Sequence, residues 1–176
     1  VQSGKTSNFI SITALAFDNG YNVVVVLGGT KKPLVKQNRE RIKEYFEATK
    51  DVLVLDTTDF RDELTSKKII RFIKNGKKVV IVALKNTTQI NYVADNVFDD
   101  AVLADKATLI IDDEGDEASL NSLVKKGKKS PTYLAIETLK NKLKRHCFLS
   151  ITATPQANLL IDTLDVLSPD FGVLVD

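Results

Sequence analysis

Residues 107–116 read ATLIIDDEGD, and the change of chemistry half-way along this stretch decides the fold. Its first half, 107–112, is apolar nearly throughout and does not alternate as a half-solvated strand would. A short β-branched run of this kind predicts a strand covered on both faces. Four other stretches read the same way: 22–27 (NVVVVL), 52–56 (VLVLD), 78–84 (KVVIVAL) and 147–152 (CFLSIT). Between them the spacing predicts helices at about 5–19, 33–48, 60–75, 88–104 and 132–145. Leu34, Ile42, Tyr45 and Phe46 fall on one helical stripe, and Leu64, Ile69, Ile70 and Ile73 on another. Asn19-Gly20 and Asn75-Gly76 stand where a helix should end before a strand. Alternation of strand and helix predicts an α/β fold: a three-layer, doubly wound, mainly parallel sheet forming a single domain over 1–176. Ligands of such sheets bind at the carboxyl ends of the strands. Chemistry is therefore sought in the residues just beyond each strand.

The bulk composition is permissive. A chain of 176 residues with 43% hydrophobic and 27% charged residues can bury one core. Its net charge of +2 neither demands nor excludes a nucleic-acid partner. The single cysteine, Cys147, cannot close an internal disulfide, so the chain is read as intracellular and cytoplasmic. Opening the run CFL, it is expected to be a buried small hydrophobe. His146 stands alone, so no zinc cluster is expected. No apolar run nears the roughly 20 residues that span a bilayer, and no signal peptide is seen. The chain lacks methionine and opens on Val1, so it is read as a fragment beginning inside a phosphate-binding loop. Residues 123–131 (LVKKGKKSP) read as a lysine-rich surface loop, and 168–176 as a further strand or a linker.

Three stretches carry the candidate chemistry. The opening, Val1-Gln2-Ser3-Gly4-Lys5-Thr6, supplies the last three defined positions of the pattern G-x-x-x-x-G-K-[ST], whose first glycine would precede Val1. Backbone N–H groups and the positive helix end would face ATP phosphates. Lys5 would reach the β and γ phosphates and the Thr6 hydroxyl would hold Mg²⁺. A capped surface turn is the competing reading of Ser-Gly-Lys-Thr. In the second stretch a strand runs into Asp112-Asp113-Glu114-Gly115-Asp116. There an Asp would bind Mg²⁺ and Glu114 would polarise the attacking water. Either Asp112 or Asp113 fits the metal; Asp113 is preferred because Glu114 follows it directly. Three adjacent carboxylates repel one another and call for a compensating cation, whereas the spacing of a calcium loop is not met. The third stretch is Ser150-Ile151-Thr152-Ala153-Thr154-Pro155, with small hydroxyl residues at another strand end.

Taken in order, these stretches resemble motifs I, II and III of superfamily 2 helicases: GKT, a DEAD-like box at Asp113-Glu114-Gly115-Asp116, and Thr152-Ala153-Thr154. Gly29-Thr30 with Leu34 and Gln37 resembles motif Ia, with one residue more than the usual spacing, and Lys85-Asn86 falls where another backbone-contacting motif is expected. The strings VQSGKT, GYNVVVVLGGT, IIDDEGDEAS and ITATPQANLLI are also similar to the Z-one domain, a family described as endonucleases that accompanies restriction and phage-defence systems.

The resemblance implies a RecA-like P-loop lobe that binds ATP and Mg²⁺ and acts on DNA, with Gly29, Thr30 and Asn86 on the nucleic-acid backbone. Gln2, Ser3, Gly4, Lys5 and Thr6 would hold the nucleotide, with Gln156 beside it. Asp116, Thr152 and Thr154 would couple nucleotide state to lobe movement. A second RecA-like lobe, bringing an arginine across the cleft, and an attached nuclease domain are implied for the parent chain. Without that lobe hydrolysis is expected to be weak or absent. No P-D…(D/E)-x-K nuclease pattern occurs in the 176 residues. The alternative function is a non-catalytic nucleotide-sensing module that mediates protein interactions. A kinase is disfavoured, as no acceptor site or lid can be located.

Overall fold

The strands form where the valine- and isoleucine-rich runs lie. In the computed structural model they are β1 (Val23–Gly28), β2 (Val52–Asp56), β3 (Lys78–Ala83), β4 (Thr108–Asp113) and β5 (His146–Ile151). The structure describes residues 3–57, 64–115, 129–152, 165 and 167–173, with residues 3–7, 64 and 65 as backbone. All strand pairs are parallel, in the order β2-β3-β1-β4-β5. Every expected strand is present, with ends shifted by at most one residue.

Helices cover both sheet faces. They are α1 (Ser3–Asp18), α2 (Lys32–Phe46), α3 (Leu64–Lys74), α4 (Thr87–Asn96), α5 (Ala101–Ala104) and α6 (Pro131–Lys142). The pleat sorts the central strand by parity. Val23, Val25 and Leu27 join Ile69 of α3, Ile90 and Val93 of α4, and Ile136 and Leu139 of α6. Val24 and Val26 join Phe9 and Phe17 of α1 and Ile42 and Phe46 of α2. All five residues from Val23 to Leu27 are fully buried. Burying each such side chain stabilises the fold by about 1.5–3 kcal/mol before ordering costs. A three-layer sandwich is the result.

Several expectations need correction. The helix expected over 88–104 is two helices, because Asp100 turns extended and its carboxylate accepts hydrogen bonds from the Val102 and Leu103 N–H groups, capping a new start. The helix expected over 33–48 ends at Phe46 and passes into a 3-10 turn, Glu47–Thr49, with Lys50 left-handed after it. Part of the helix expected over 60–75 lies outside the described residues; the described part is α3. Cys147 is exposed rather than buried. Among the described residues β5 pairs only with β4, and as an edge strand it leaves His146, Cys147 and Ser150 open to solvent.

Candidate nucleotide site

The register brings three strand ends together. Leu27 of β1 lies beside Ala83 of β3, and Gly28 beside Asp113 of β4. From these ends the β1-to-β2 and β3-to-β4 connections run to opposite sides of the sheet, and it is at such a switch point that a doubly wound sheet binds ligands.

Strand parity separates the two aspartates. Ile110 belongs to the core beneath α4 and α6, and Ile111 to the core beneath α1 and α2. A period of two therefore turns Asp112 towards the α4–α6 face and Asp113 towards the α1–α2 face. Asp112 is 1% exposed, and its Oδ1 lies 2.8 Å from Nζ of Lys85, which is equally buried. Asp113 is half-buried. Ser3, Gly4, Lys5 and Thr6 form the first turn of α1, on the same side of the sheet as Asp113. The helix thus starts two residues earlier than expected and includes Gly4.

Glu114 ends the strand with a left-handed backbone, φ 57°, a conformation few non-glycine residues adopt. Its main-chain carbonyl accepts a 2.6 Å hydrogen bond from Lys85 Nζ. The next N–H, of Gly115, donates to the carbonyl of Ile151 at 3.1 Å. The acidic turn and the end of β5 are therefore joined by a main-chain hydrogen bond. Thr152 is half-buried, immediately beyond β5.

Gly29 completes the floor. It has φ +83°, and a Cβ built there would meet Glu114 Oε2 at 3.5 Å, so the glutamate carboxylate lies over this glycine. The carbonyl of Gly29 accepts from the Lys85 N–H at 2.8 Å. Thr30 is exposed in the turn before α2. Asn86 plays a local structural part, since its side chain accepts from the Gln89 N–H and caps α4. Gln2, Asp116, Thr154 and Gln156 lie outside the described residues.

Lys85 is the residue that sequence reasoning misplaced. Expected with Asn86 where a motif contacts the nucleic-acid backbone, its side chain is instead inside the protein. One signal pointed to it: the run Asp112-Asp113-Glu114 required a compensating cation, and for Asp112 that cation is this side chain. The described residues hold no cluster of three or more His, Cys, Asp or Glu able to bind a metal alone. Mg²⁺ is ordinarily held by one or two carboxylates together with substrate phosphates. The half-buried Asp113, on the face that carries the Gly4-Lys5-Thr6 turn, suits that arrangement.

A family model described as type III restriction enzyme, res subunit, matches residues 3–157, most of the chain. The chain belongs to that family. The res-subunit family is helicase-like and P-loop-bearing, so the five-stranded parallel sheet is a RecA-like lobe, and the family points to an ATPase or helicase activity. The match is to this family and does not extend to the Z-one name. No curated protein matches the chain. Among the described residues no helix is long and apolar enough to cross a membrane.

Proposed function

We propose that this res-subunit lobe binds and hydrolyses ATP with Mg²⁺ to drive a DNA-processing motor in a restriction or phage-defence system. The observation that carries the reading is the split between neighbouring carboxylates. Asp112 is consumed by a buried ion pair on one face, while Asp113 stands on the face of the helix that opens with Gly4-Lys5-Thr6. In this reading the Gln2–Thr6 segment wraps the phosphates through backbone N–H groups, Lys5 neutralises the β and γ phosphates, and Thr6 and Asp113 hold Mg²⁺. The metal supplies charge neutralisation at the phosphates. Glu114 orients the water that attacks the γ phosphorus as the bond to the ADP oxygen breaks. Asp116, Thr152 and Thr154 relay the state of the site to a second lobe, and the main-chain bond from Gly115 to Ile151 supports that link. The Gly29-Thr30 turn and Asn86 line the DNA side.

The test is ATP hydrolysis by the full-length parent protein, with and without duplex DNA, beside Lys5→Ala, Glu114→Gln and Asp113→Asn. DNA-stimulated turnover should fall by about 10²–10⁴-fold in the first two. Asp113→Asn should raise the Mg²⁺ concentration required. Absence of nucleotide binding at millimolar ATP would end this reading. Tight binding without turnover, indifferent to DNA, would favour the nucleotide-sensing module.

A further inference from the structure

One peptide unit in the crevice is pinned at both of its polar ends. The Glu114 carbonyl oxygen and the Gly115 N–H belong to the same planar group. The oxygen takes the 2.6 Å bond from Lys85 Nζ, and the N–H gives its bond to Ile151. Fixing both ends fixes the rotation of Glu114 about its Cα–C bond, in a left-handed conformation that the residue would otherwise seldom hold. Lys85 is itself anchored from two sides. Its N–H is bonded to the Gly29 carbonyl, and its ammonium group is paired with Asp112. A flexible four-carbon side chain is thereby held as a strut across the ends of β1, β3 and β4. A charged side chain that is 1% exposed is a costly way to hold a turn. A neutral pair would have sufficed for packing alone.

We infer that Lys85 is a positioning residue for hydrolysis: it sets the main chain at Glu114 so that the Glu114 carboxylate stands over Gly29, facing the attacking water. Asp112 balances the charge of Lys85 and does not bind the metal. The inference rests on the assignment of Glu114 under Proposed function. Displacements of about 1 Å in a reacting geometry cost up to about 10²-fold in rate, so the loss is expected in kcat rather than in nucleotide affinity.

The experiment uses the full-length parent protein and three variants, Asp112→Asn, Lys85→Met, and Lys85→Met with Asp112→Asn, beside Glu114→Gln. Steady-state kcat and KM are read together with the affinity for a fluorescent ATP analogue. A charge-balancing role and a positioning role order the variants differently. If Lys85 only neutralises Asp112, the double variant recovers kcat and the two single variants are the impaired ones. If Lys85 positions Glu114, Asp112→Asn keeps more of the wild-type kcat than either variant lacking the lysine. The double variant then stays about 10- to 100-fold down, with analogue affinity within about twofold of wild type. Recovery of kcat in the double variant while Glu114→Gln is inactive overturns the positioning role alone. Full turnover by Glu114→Gln overturns the assignment of Glu114 and the positioning role with it.

Discussion

Replacing Lys85 by Met takes the ammonium group away from a buried carboxylate, and the size of the penalty follows from the burial. Asp112 is 1% exposed, and Lys85 Nζ lies 2.8 Å from it. Removing one partner of a buried pair costs about 3–5 kcal/mol, because the surviving buried charge has lost the close opposite charge that offset its desolvation. For a chain of this size that corresponds to a fall in melting temperature of about 6–20 °C. Asp112→Asn in the Lys85→Met background removes the buried charge while keeping the shape. The double variant should therefore be more stable than Lys85→Met, with a coupling of about 2 kcal/mol or more in the double-mutant cycle. Urea unfolding of the four proteins, followed by far-ultraviolet circular dichroism, supplies the midpoints and slopes. Equal midpoints for Lys85→Met and the double variant, or a cost below about 1 kcal/mol for Lys85→Met, would refute the premise that burial governs this pair.

Three further outcomes are expected. Ile81→Ala empties a fully buried site in β3 and should cost about 2–5 kcal/mol by the same unfolding assay. Ser130→Ala removes the side chain that accepts the Tyr133 N–H at 3.2 Å, and loss of that cap should cost about 1 kcal/mol. The Asp99 carboxyl should titrate below its ordinary value of 3.8, because Lys142 donates a hydrogen bond to it and lies close as a positive charge. A carboxyl depressed in this way adds stability above its unfolded value and loses it as pH falls through the folded one. A side-chain carbonyl titration by NMR should show the depression, and Lys142→Gln should abolish it.

Much of the fold was readable because its signal is local. Five apolar runs with intervening amphipathic stretches are visible one window at a time, and parallel strands buried on both faces need no partner to be recognised by composition. The acidic turn was readable for the same reason, since Asp-Glu after a buried strand is a contiguous string. Less was legible where identity depends on neighbours distant in sequence. The break before α5 is a local exception of another kind: one Asp100 carboxylate accepts from the N–H groups two and three residues on, a single cap that hydrophobic periodicity does not register. The exposure of Cys147 depends on β5 being an edge among the described strands, which its composition does not reveal.

By itself the sequence determined that strands and helices alternate, and that Gly4-Lys5-Thr6, Asp113-Glu114 and Thr152 lie at element boundaries, because period and chain order are one-dimensional quantities. Only the tertiary structure decided which neighbouring aspartate faces α1. That choice is a matter of pleat parity relative to layers built from residues far apart in the chain. Nor could the sequence decide the fate of Lys85. A lysine after an apolar strand is ordinarily solvated; here β1, β3 and β4 end side by side, so that Lys85 reaches a carboxylate 27 positions on and a carbonyl 29 positions on. Burial of a charge is tolerated only where such partners converge, and convergence is a property of the folded sheet.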